Sequence, residues 1–251
     1  MRTSITQRKD DQTALDAERR LLQQALARLE TAQARSRPSG RLIFGLDLTG
    51  SREAGLDQAR IATAALFDAL KNIGRITMKL AYYRGDSECR MTAWHDDPDL
   101  LCRSMLGLAC ESGATQIARL MQMVLGEDKL SGFVFVGDHC EDNSRELEDL
   151  ARRLGRKAIP VFIFHECADH DRRALKAKPI FKRMAELSGG AYVEFKPTSA
   201  MALKEMLSGV AAFAAGGKEG LLQLAMPRTA EAQQLKQRLL LGIGNDATRP
   251  H

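Results

Sequence analysis

LIFGLDLTGS (Leu42–Ser51) is an apolar run that ends in an aspartate and carries hydroxyl side chains two and four positions later. An unbroken apolar run of this length is typical of a strand buried on both faces of a parallel sheet. Open α/β sheets bind ligands at the carboxyl ends of such strands, where Asp47 is expected to lie. Asp47, Thr49 and Ser51 therefore offer three hard oxygen ligands on one short loop, as a small divalent cation requires.

Strand and helix patterns alternate on the carboxyl side of this run, from residue 41 to about residue 216. The predicted strands are Arg41–Asp47, Ile76–Tyr83, Cys89–Trp94, Gly132–Asp138, Ile159–His165 and Ala191–Phe195. The predicted helices are Leu56–Leu70, Asp97–Leu108, Thr115–Leu125, Ser144–Leu154, Pro179–Leu187 and Ala200–Ala214. The second and third strands form a hairpin at a sheet edge. The pattern predicts an α/β fold, a doubly wound and mostly parallel sheet with one antiparallel edge strand.

Helical extensions are expected on both sides of this domain of residues 41–216. Residues 1–40 form a predicted amphipathic arm and a linker, with Leu15, Leu22 and Leu29 at heptad spacing. We favour docking of this arm on its own domain or on a partner over self-association as a coiled coil, because its heptads are few. Residues 217–251 form a predicted carboxyl-terminal extension, with a helix over Glu231–Leu241 and a tail.

Composition excludes some classes of protein and leaves others open. The chain has 251 residues, of which 44% are hydrophobic and 27% charged, with a formal charge of +5. No apolar run approaches the ~18–20 residues of a membrane span, and the amino terminus has no apolar region typical of a secretion signal. The odd number of cysteines, five without a C-x-x-C pair, is typical of reduced thiols. We therefore expect a cytoplasmic protein.

Three polar elements occur in an order that resembles a known family. Asp47, Thr49 and Ser51 follow the first strand, Thr115 opens a helix in mid-chain, and Asp138 ends the fourth strand. This order resembles the von Willebrand factor A (VWA) domain and its metal-ion-dependent adhesion site (MIDAS), with threonine in place of the first serine. The resemblance covers residues 41–216. Each of these residues taken singly could instead be a helix N-cap, a role that does not require the family's order.

The resemblance implies a metal site and a binding function. Ser51, Thr49 and Thr115 would supply hydroxyl oxygens to Mg²⁺, or to Mn²⁺ or Ca²⁺, while Asp47 and Asp138 would bind directly or through water. Two carboxylates only just balance a dication, so the metal stays electrophilic and favours a carboxylate from a protein partner. Intracellular prokaryotic members of the family often act beside AAA-type ATPases, which suggests a cytoplasmic multi-protein assembly.

The loops near this site contain further candidate residues. His139 follows Asp138 where the family usually has glycine, and His139, Glu141 and His165 could contact a partner at the rim of the site. The segment 165–171 contains histidine, cysteine and carboxylate side chains, but its spacing matches no established zinc site. Basic residues near 152–157 and 172–183 are interpreted as solvated helix faces, with a patch for an acidic protein or nucleic acid as the alternative.

Two functions of different classes remain open. The favoured function is a metal-dependent protein-interaction module that is not an enzyme. The alternative is a metal-assisted enzyme or nucleic-acid factor that uses His139, Glu141 or His165 for proton transfer and the basic face for phosphates. A P-loop and a nucleophile elbow are both absent from the sequence. Nucleic acid is less favoured because no aromatic residues interleave with the basic run.

Overall fold

A twisted sheet with helices on both faces forms the centre of the structure. The computed structural model describes residues 23, 39–53, 57, 75–167, 171–196 and 199–242. The chain divides into two compact units, Met1–Arg37 and Pro38–His251, and the elements below belong to the second. The predicted amino-terminal arm, apart from Gln23, the predicted helix Leu56–Leu70, apart from Asp57, and the tail after residue 242 lie outside the described residues.

The described elements follow the predicted alternation. The strands are β1 Ser39–Asp47, β2 Arg75–Arg84, β3 Glu88–Met91, β4 Gly132–Gly137, β5 Val161–Glu166 and β6 Ala191–Phe195. The helices are α1 Pro98–Leu106, α2 Ile117–Leu125, α3 Ser144–Arg156, α4 Arg172–Ser188, α5 Ala200–Gln223 and α6 Ala230–Gly242. A short 3₁₀ turn, Gly50–Arg52, follows β1.

The strand order explains why one edge of the sheet collects the candidate residues. Within the described residues the order is β3-β2-β1-β4-β5-β6, and every neighbouring pair is parallel except β2 with β3. The predicted fold class, mostly parallel with one antiparallel edge strand, is confirmed. β1 therefore lies between β2 and β4, and the carboxyl ends of these parallel strands meet at the same edge.

The core consists of two apolar layers, one on each face of the sheet. Successive residues of β1 point into opposite layers, as the period of a strand requires: Phe44 contributes to one and Ile43 to the other. The first layer is covered by α1, α5 and α6, and the second by α2, α3 and α4. Burial on both faces is the reason why the strands have near-continuous apolar sequences.

Among the described elements only β6 has both of its predicted bounds, and three of the differences are informative. β1 begins at Ser39 because Gly40 is packed against α5, where a Cβ would lie 2.6 Å from the Ala214 carbonyl oxygen. α4 begins at Arg172 and contains Pro179 in its interior. α5 extends to Gln223 with a break at Gly217, whose φ is 60°.

The predicted carboxyl-terminal extension contributes to the core. Leu235 and Leu239 of α6 are each 1% exposed and lie in the same apolar layer as β6. Glu205 of α5 accepts hydrogen bonds from the chain immediately before α6, from the Thr229 N–H at 2.9 Å and the Thr229 hydroxyl at 2.7 Å. Segment 230–242 is therefore integrated with the sheet.

Candidate functional site

Asp47, the last residue of β1, is fully buried and held by two hydrogen bonds. Its Oδ1 accepts from the Thr49 N–H at 2.8 Å, and its Oδ2 accepts from the Tyr83 hydroxyl at 2.9 Å. Tyr83 reaches it because the two residues are partners in the β1–β2 register. Burial raises the pKa of the Asp47 carboxyl, and the charge of Asp138 raises it further. The Asp47 charge is therefore costly in this structure.

Thr49 and Ser51 are brought together by the turn after β1. Their hydroxyl oxygens lie 3.3 Å apart, within hydrogen-bond distance. The 3₁₀ turn Gly50–Arg52 places the two side chains on the same side of the loop, with Thr49 buried and Ser51 exposed. The predicted pair of neutral oxygen donors is present at the carboxyl edge of the sheet.

Thr115 lies in the loop before α2, with its hydroxyl in a hydrogen-bond network. The hydroxyl donates to Asp142 Oδ2 at 2.7 Å and accepts from the Glu141 N–H at 2.8 Å. Asp142 also accepts from the backbone N–H groups of Ile117 and Ala118, so it caps α2 from the loop after β4. The capping role is performed by Asp142, and the helix begins at Ile117, two residues after its predicted start at Thr115.

Asp138 follows β4 and is 7% exposed. Its Oδ1 has no hydrogen-bond partner among the described residues, and its Oδ2 lies 3.5 Å from His139 Nδ1. A buried acceptor without a partner costs free energy, about 1–3 kcal/mol. Asp138 is thus the member of the predicted set whose bonding is incomplete.

A cleft of about 180 Å³ opens at this edge of the sheet. It is lined by Thr49, Gly50, Ser51, Ser112, Gly113, Thr115, His139, Glu141 and Arg173. Three of the five predicted metal ligands line the cleft directly. The other two, Asp47 and Asp138, are buried, and the charge of Asp138 acts on Asp47.

The donor set is of the type that a hard cation accepts. Two carboxylates and three neutral hydroxyls come from the loops after β1, before α2 and after β4. Across the described ranges, no three His, Cys, Asp or Glu side chains form a metal-binding cluster. A cation here would therefore depend on the hydroxyls, which suits Mg²⁺ or Ca²⁺ better than zinc. Asp138 Oδ1, which has no hydrogen-bond partner among the described residues, is the oxygen whose surroundings best suit a metal ligand.

The predicted rim residues occupy different environments. His139 lines the cleft, and its Nε2 lies 2.8 Å from Asp171 Oδ2. Glu141 also lines the cleft and forms an ion pair with Arg173. His165 is 0% exposed, so it lies in the interior and not at the rim.

His165 supports the site from the inside. Its Nε2 lies 2.9 Å from the Asp138 carbonyl oxygen, and its Nδ1 lies 2.7 Å from the Tyr192 hydroxyl. Burial lowers the pKa of His165, so the neutral imidazole is favoured. Because the Asp138 carbonyl oxygen can only accept, Nε2 donates in this hydrogen bond, which fixes the backbone of the loop after β4.

Three residues of the site were not predicted from the sequence: Arg52, Tyr83 and Asp142. Arg52 is 2% exposed and forms an ion pair with Glu166, which is 5% exposed. The Glu141-Asp142 pair after β4 was a usable signal for Asp142, because acidic side chains are common caps. The roles of Arg52 and Tyr83 depend on strand register and had no signal in the local sequence.

Solved structures share this fold at low sequence identity. An aerotolerance-related membrane protein from Bacteroides fragilis matches with a TM-score of 0.53 at 14% identity, over 68% of this chain and 98% of that chain. A von Willebrand factor type A protein from Catenulispora acidiphila matches with a TM-score of 0.54 at 12% identity, over 70% of this chain and 43% of that chain. The chain has the fold of a VWA domain.

A third VWA structure agrees with this result. The vWF domain of the type V pili tip protein Mfa5 from Porphyromonas gingivalis has a TM-score of 0.52 at 9% identity, over 68% of this chain and 94% of that chain. The chain matches no family model and no curated protein sequence. Identities this low show the shared VWA fold alone.

The VWA neighbours include membrane and pilus proteins. Among the helices that the structure describes, none combines the length and apolar character needed to cross a bilayer.

Proposed function

We propose that the carboxyl edge of the VWA sheet binds a divalent cation, Mg²⁺ with Mn²⁺ or Ca²⁺ as alternatives, and thereby captures a carboxylate of a partner protein. The observation that carries this proposal is the buried Asp138 Oδ1 without a partner, beside a cleft lined by three hydroxyls. A cation at this position would compensate the unpartnered oxygen and the repulsion between Asp47 and Asp138.

The residues divide the work of holding the cation. Thr49, Ser51 and Thr115 would offer hydroxyl oxygens from the cleft wall, while Asp138 would supply charge through its free oxygen. Asp47 would act from the interior, since both of its oxygens already accept hydrogen bonds that fix its orientation. The bound cation would supply a Lewis-acidic position for an external carboxylate.

A carboxylate is the favoured ligand because of the charge balance. Asp47 and Asp138 together only just neutralise a dication, and the hydroxyls add no charge. Arg173 at the cleft adds a positive charge that Glu141 shares. Because Arg173 and Glu141 pair with each other, the attraction for an acidic side chain from outside would come from the open coordination position of the bound cation.

The proposed activity is binding, without a catalytic step. His139, the imidazole that lines the cleft, is engaged with Asp171. We place the interaction in a cytoplasmic multi-protein assembly, and an AAA-type ATPase is the class of partner that the resemblance to intracellular VWA proteins suggests.

Cation binding is tested by titrating the purified protein with Mg²⁺ and Mn²⁺ in a calorimeter. Asp138→Asn keeps the side-chain shape but removes its charge, and is expected to weaken binding at least tenfold. Asp128→Asn is the matched control, because Asp128 is exposed in the loop before β4, at the opposite end of that strand. Equal affinities for wild type and Asp138→Asn would contradict the proposed site.

Capture of a carboxylate is tested with ¹³C-acetate as the probe. Bound Mn²⁺ is expected to shorten the relaxation time of the acetate carboxyl carbon, since coordination brings it close to the paramagnetic ion. The effect should disappear with Asp138→Asn and persist with Asp128→Asn. If Mn²⁺ binds but the relaxation time of the acetate carbon does not change, the metal site is supported and its capture of a carboxylate is refuted.

A further inference from the structure

Helix α4 carries a concentration of positive charge that its own stability does not favour. It contains six Lys or Arg residues and a single acidic residue, Glu186. The resulting excess of five positive charges equals the formal charge of the whole chain, +5. Arg172 and Arg173 occupy the first turn, and the last turn has no basic residue. This distribution is the reverse of what the helix dipole favours.

Like charges also lie close to one another along α4. Arg172 and Lys176 are four residues apart, as are Lys178 and Lys182, and like charges at this spacing destabilise a helix. Three of the basic residues have acidic partners: Arg173 with Glu141, Lys178 with Glu194, and Arg183 with Glu186. The charged residues of α4 therefore lower the stability of this helix. Such conflicts between local sequence and structure are expected at functional surfaces.

The exposed residues of α4 form one continuous face. Arg172, Lys176 and Arg183 are all exposed and recur at helical spacing, so they lie in one row. Lys182 is exposed beside this row, and Leu175 beside it is 53% exposed. We call Arg172, Lys176, Lys182 and Arg183 the basic track.

The neighbouring helix α3 shows that this pattern is specific to α4. Arg152 of α3 is paired with both Glu148 and Asp149 on its own helix, three and four residues away. Acidic and basic residues thus alternate on α3, as on an ordinary solvated helix. In the basic track, Arg183 alone has an acidic partner on its own helix among the described residues, Glu186, so positive charge prevails on this face.

The basic track begins at the proposed cation site. Arg173 lines the cleft, and Asp171, the N-cap of α4, lies within 2.8 Å of His139 in the same cleft. From Arg172 to Arg183 the track extends ~16 Å along the helix axis. An extended segment of about five residues spans that length.

We infer that the basic track is the docking surface for an acidic polypeptide segment, one carboxylate of which occupies the proposed cation site. This inference rests on the proposed function and specifies its partner: a chain with several Asp or Glu residues beside the coordinating one. Charge complementarity along α4 favours this partner, and so does the exposed Leu175, which can pack against an aliphatic side chain between the acids. The aromatic residue of α4, Phe181, is buried, so no exposed ring on this face can stack with bases.

The test uses a fluorescently labelled decaglutamate peptide and measures its anisotropy with the full-length protein in Mg²⁺ and in EDTA. The track variant is Arg172→Glu with Lys176→Glu, whose new acidic residues suit the first turns of the helix. The control variant is Arg153→Glu with Arg156→Glu, which makes the same charge change at exposed positions of α3. The track variant is expected to bind at least tenfold more weakly in both buffers, and the control within about twofold of wild type.

Each outcome separates this inference from the proposed function. In Asp138→Asn, Mg²⁺ is expected not to strengthen binding of the peptide, whereas Arg172→Glu with Lys176→Glu is still expected to weaken it. This result would support both the cation site and the basic track. If the track variant binds the peptide more weakly but Mg²⁺ does not strengthen binding by the wild type, the cation site and its link to the basic track are contradicted. Equal binding by the track variant and wild type overturns the track, whatever the cation does. Binding of a 20-nucleotide single-stranded DNA or of phosphatidylserine vesicles to the track in preference to the peptide also overturns it.

Discussion

Arg52 shows how one residue joins two parts of the site. It follows Ser51 directly, and its ion pair with Glu166 connects the loop after β1 to the last residue of β5. Burial lowers the pKa of Arg52, while the negative charges of Asp47 and Asp138 oppose that shift. The guanidinium therefore also offsets the charge of the two site carboxylates within the protein interior.

Removing one member of this buried pair should be far more damaging than removing both. Arg52→Met leaves Glu166 as an unpaired buried charge, and we expect a loss of about 3–5 kcal/mol in the free energy of unfolding. The double variant Arg52→Met with Glu166→Met should recover most of that loss. Urea unfolding of the two single variants and the double variant gives the coupling energy.

The exposed pair Arg183–Glu186 supplies the matched control for this cycle. Its side chains are 49% and 65% exposed, so its coupling energy should lie between about 0 and 1 kcal/mol. Similar coupling energies for the two pairs would show that Arg52 does not depend on Glu166.

Gly113 is a second position at which the addition of one carbon atom, a Cβ, should disturb the site. A Cβ there would lie 2.2 Å from the Gly85 carbonyl oxygen, so the loop that carries Thr115 approaches the β2–β3 turn more closely than any other residue allows. Gly113→Ala should displace that loop, lower the melting temperature and weaken Mg²⁺ binding. Gly107→Ala is the control, because a Cβ at Gly107 meets nothing within 4 Å. Unchanged cation affinity in Gly113→Ala would show that Thr115 is not a ligand.

Sequence reasoning at this scale worked best for residues at the ends of strands. Thr49, Ser51 and Thr115 line one cleft because the parallel order of the strands brings their loops together. That these side chains hold a metal stays a prediction. The bond from Tyr83 to Asp47 depends on the β1–β2 register, and the bond from Thr115 to Asp142 joins residues 27 positions apart. Neither relation has a local sequence pattern.

At the scale of elements, the helices and strands with strong periodicity were predicted correctly, but the positions of their ends were predicted less accurately. β6 has its predicted bounds, whereas α4 begins seven residues before the predicted start at Pro179. Proline favours the first turn of a helix, which explains the choice, but Asp171 caps the helix through the N–H groups of Arg173 and Ala174. The cap outweighs the preference of one proline for the helix start.

Glu205 provides a test of how α5 and α6 are joined. Burial acts to raise the pKa of Glu205, but hydrogen bonds from Arg228 and Thr229 outweigh it and leave the pKa below its ordinary value. Glu205→Gln should lower the free energy of unfolding at pH 7 by about 1 kcal/mol, a modest figure because solvent screens this partly exposed group. Urea unfolding at several pH values measures the effect.

The pH dependence of this difference has a definite sign. A carboxyl with a lowered folded pKa contributes its full stability above the unfolded pKa of ~4.3, and loses it as the pH falls through the folded value. The gap between wild type and Glu205→Gln should therefore shrink from pH 7 to pH 3. Glu219→Gln, at an exposed position of the same helix, should show little difference at any pH. A gap that widens in acid would contradict the assigned bonds.

For the whole molecule, the order of apolar strands and amphipathic helices was enough to predict a doubly wound sheet. The position of β1 between β2 and β4 was not predicted, because the pattern of elements along the sequence does not fix the order of strands in the sheet. The position of α6 was harder to predict. The sequence around Leu235 and Leu239 does not indicate on which face of the sheet they pack. The sequence identity to the Catenulispora acidiphila structure is only 12%, so the two chains share this fold with few identical residues.

Cation binding should appear in the stability of the whole molecule, because the proposed ligands come from loops that meet only when the sheet is formed. A ligand that binds only the native state at 100 times its dissociation constant stabilises it by about 2.7 kcal/mol. For a chain of this size that corresponds to a rise of roughly 5–10 °C in melting temperature. Calorimetry with MgCl₂ against NaCl of equal ionic strength measures the rise, which Asp128→Asn should keep and Asp138→Asn should lose. Equal rises in those two variants would place the bound ion elsewhere on the molecule, because Asp138 is the proposed ligand whose buried oxygen has no hydrogen-bond partner among the described residues.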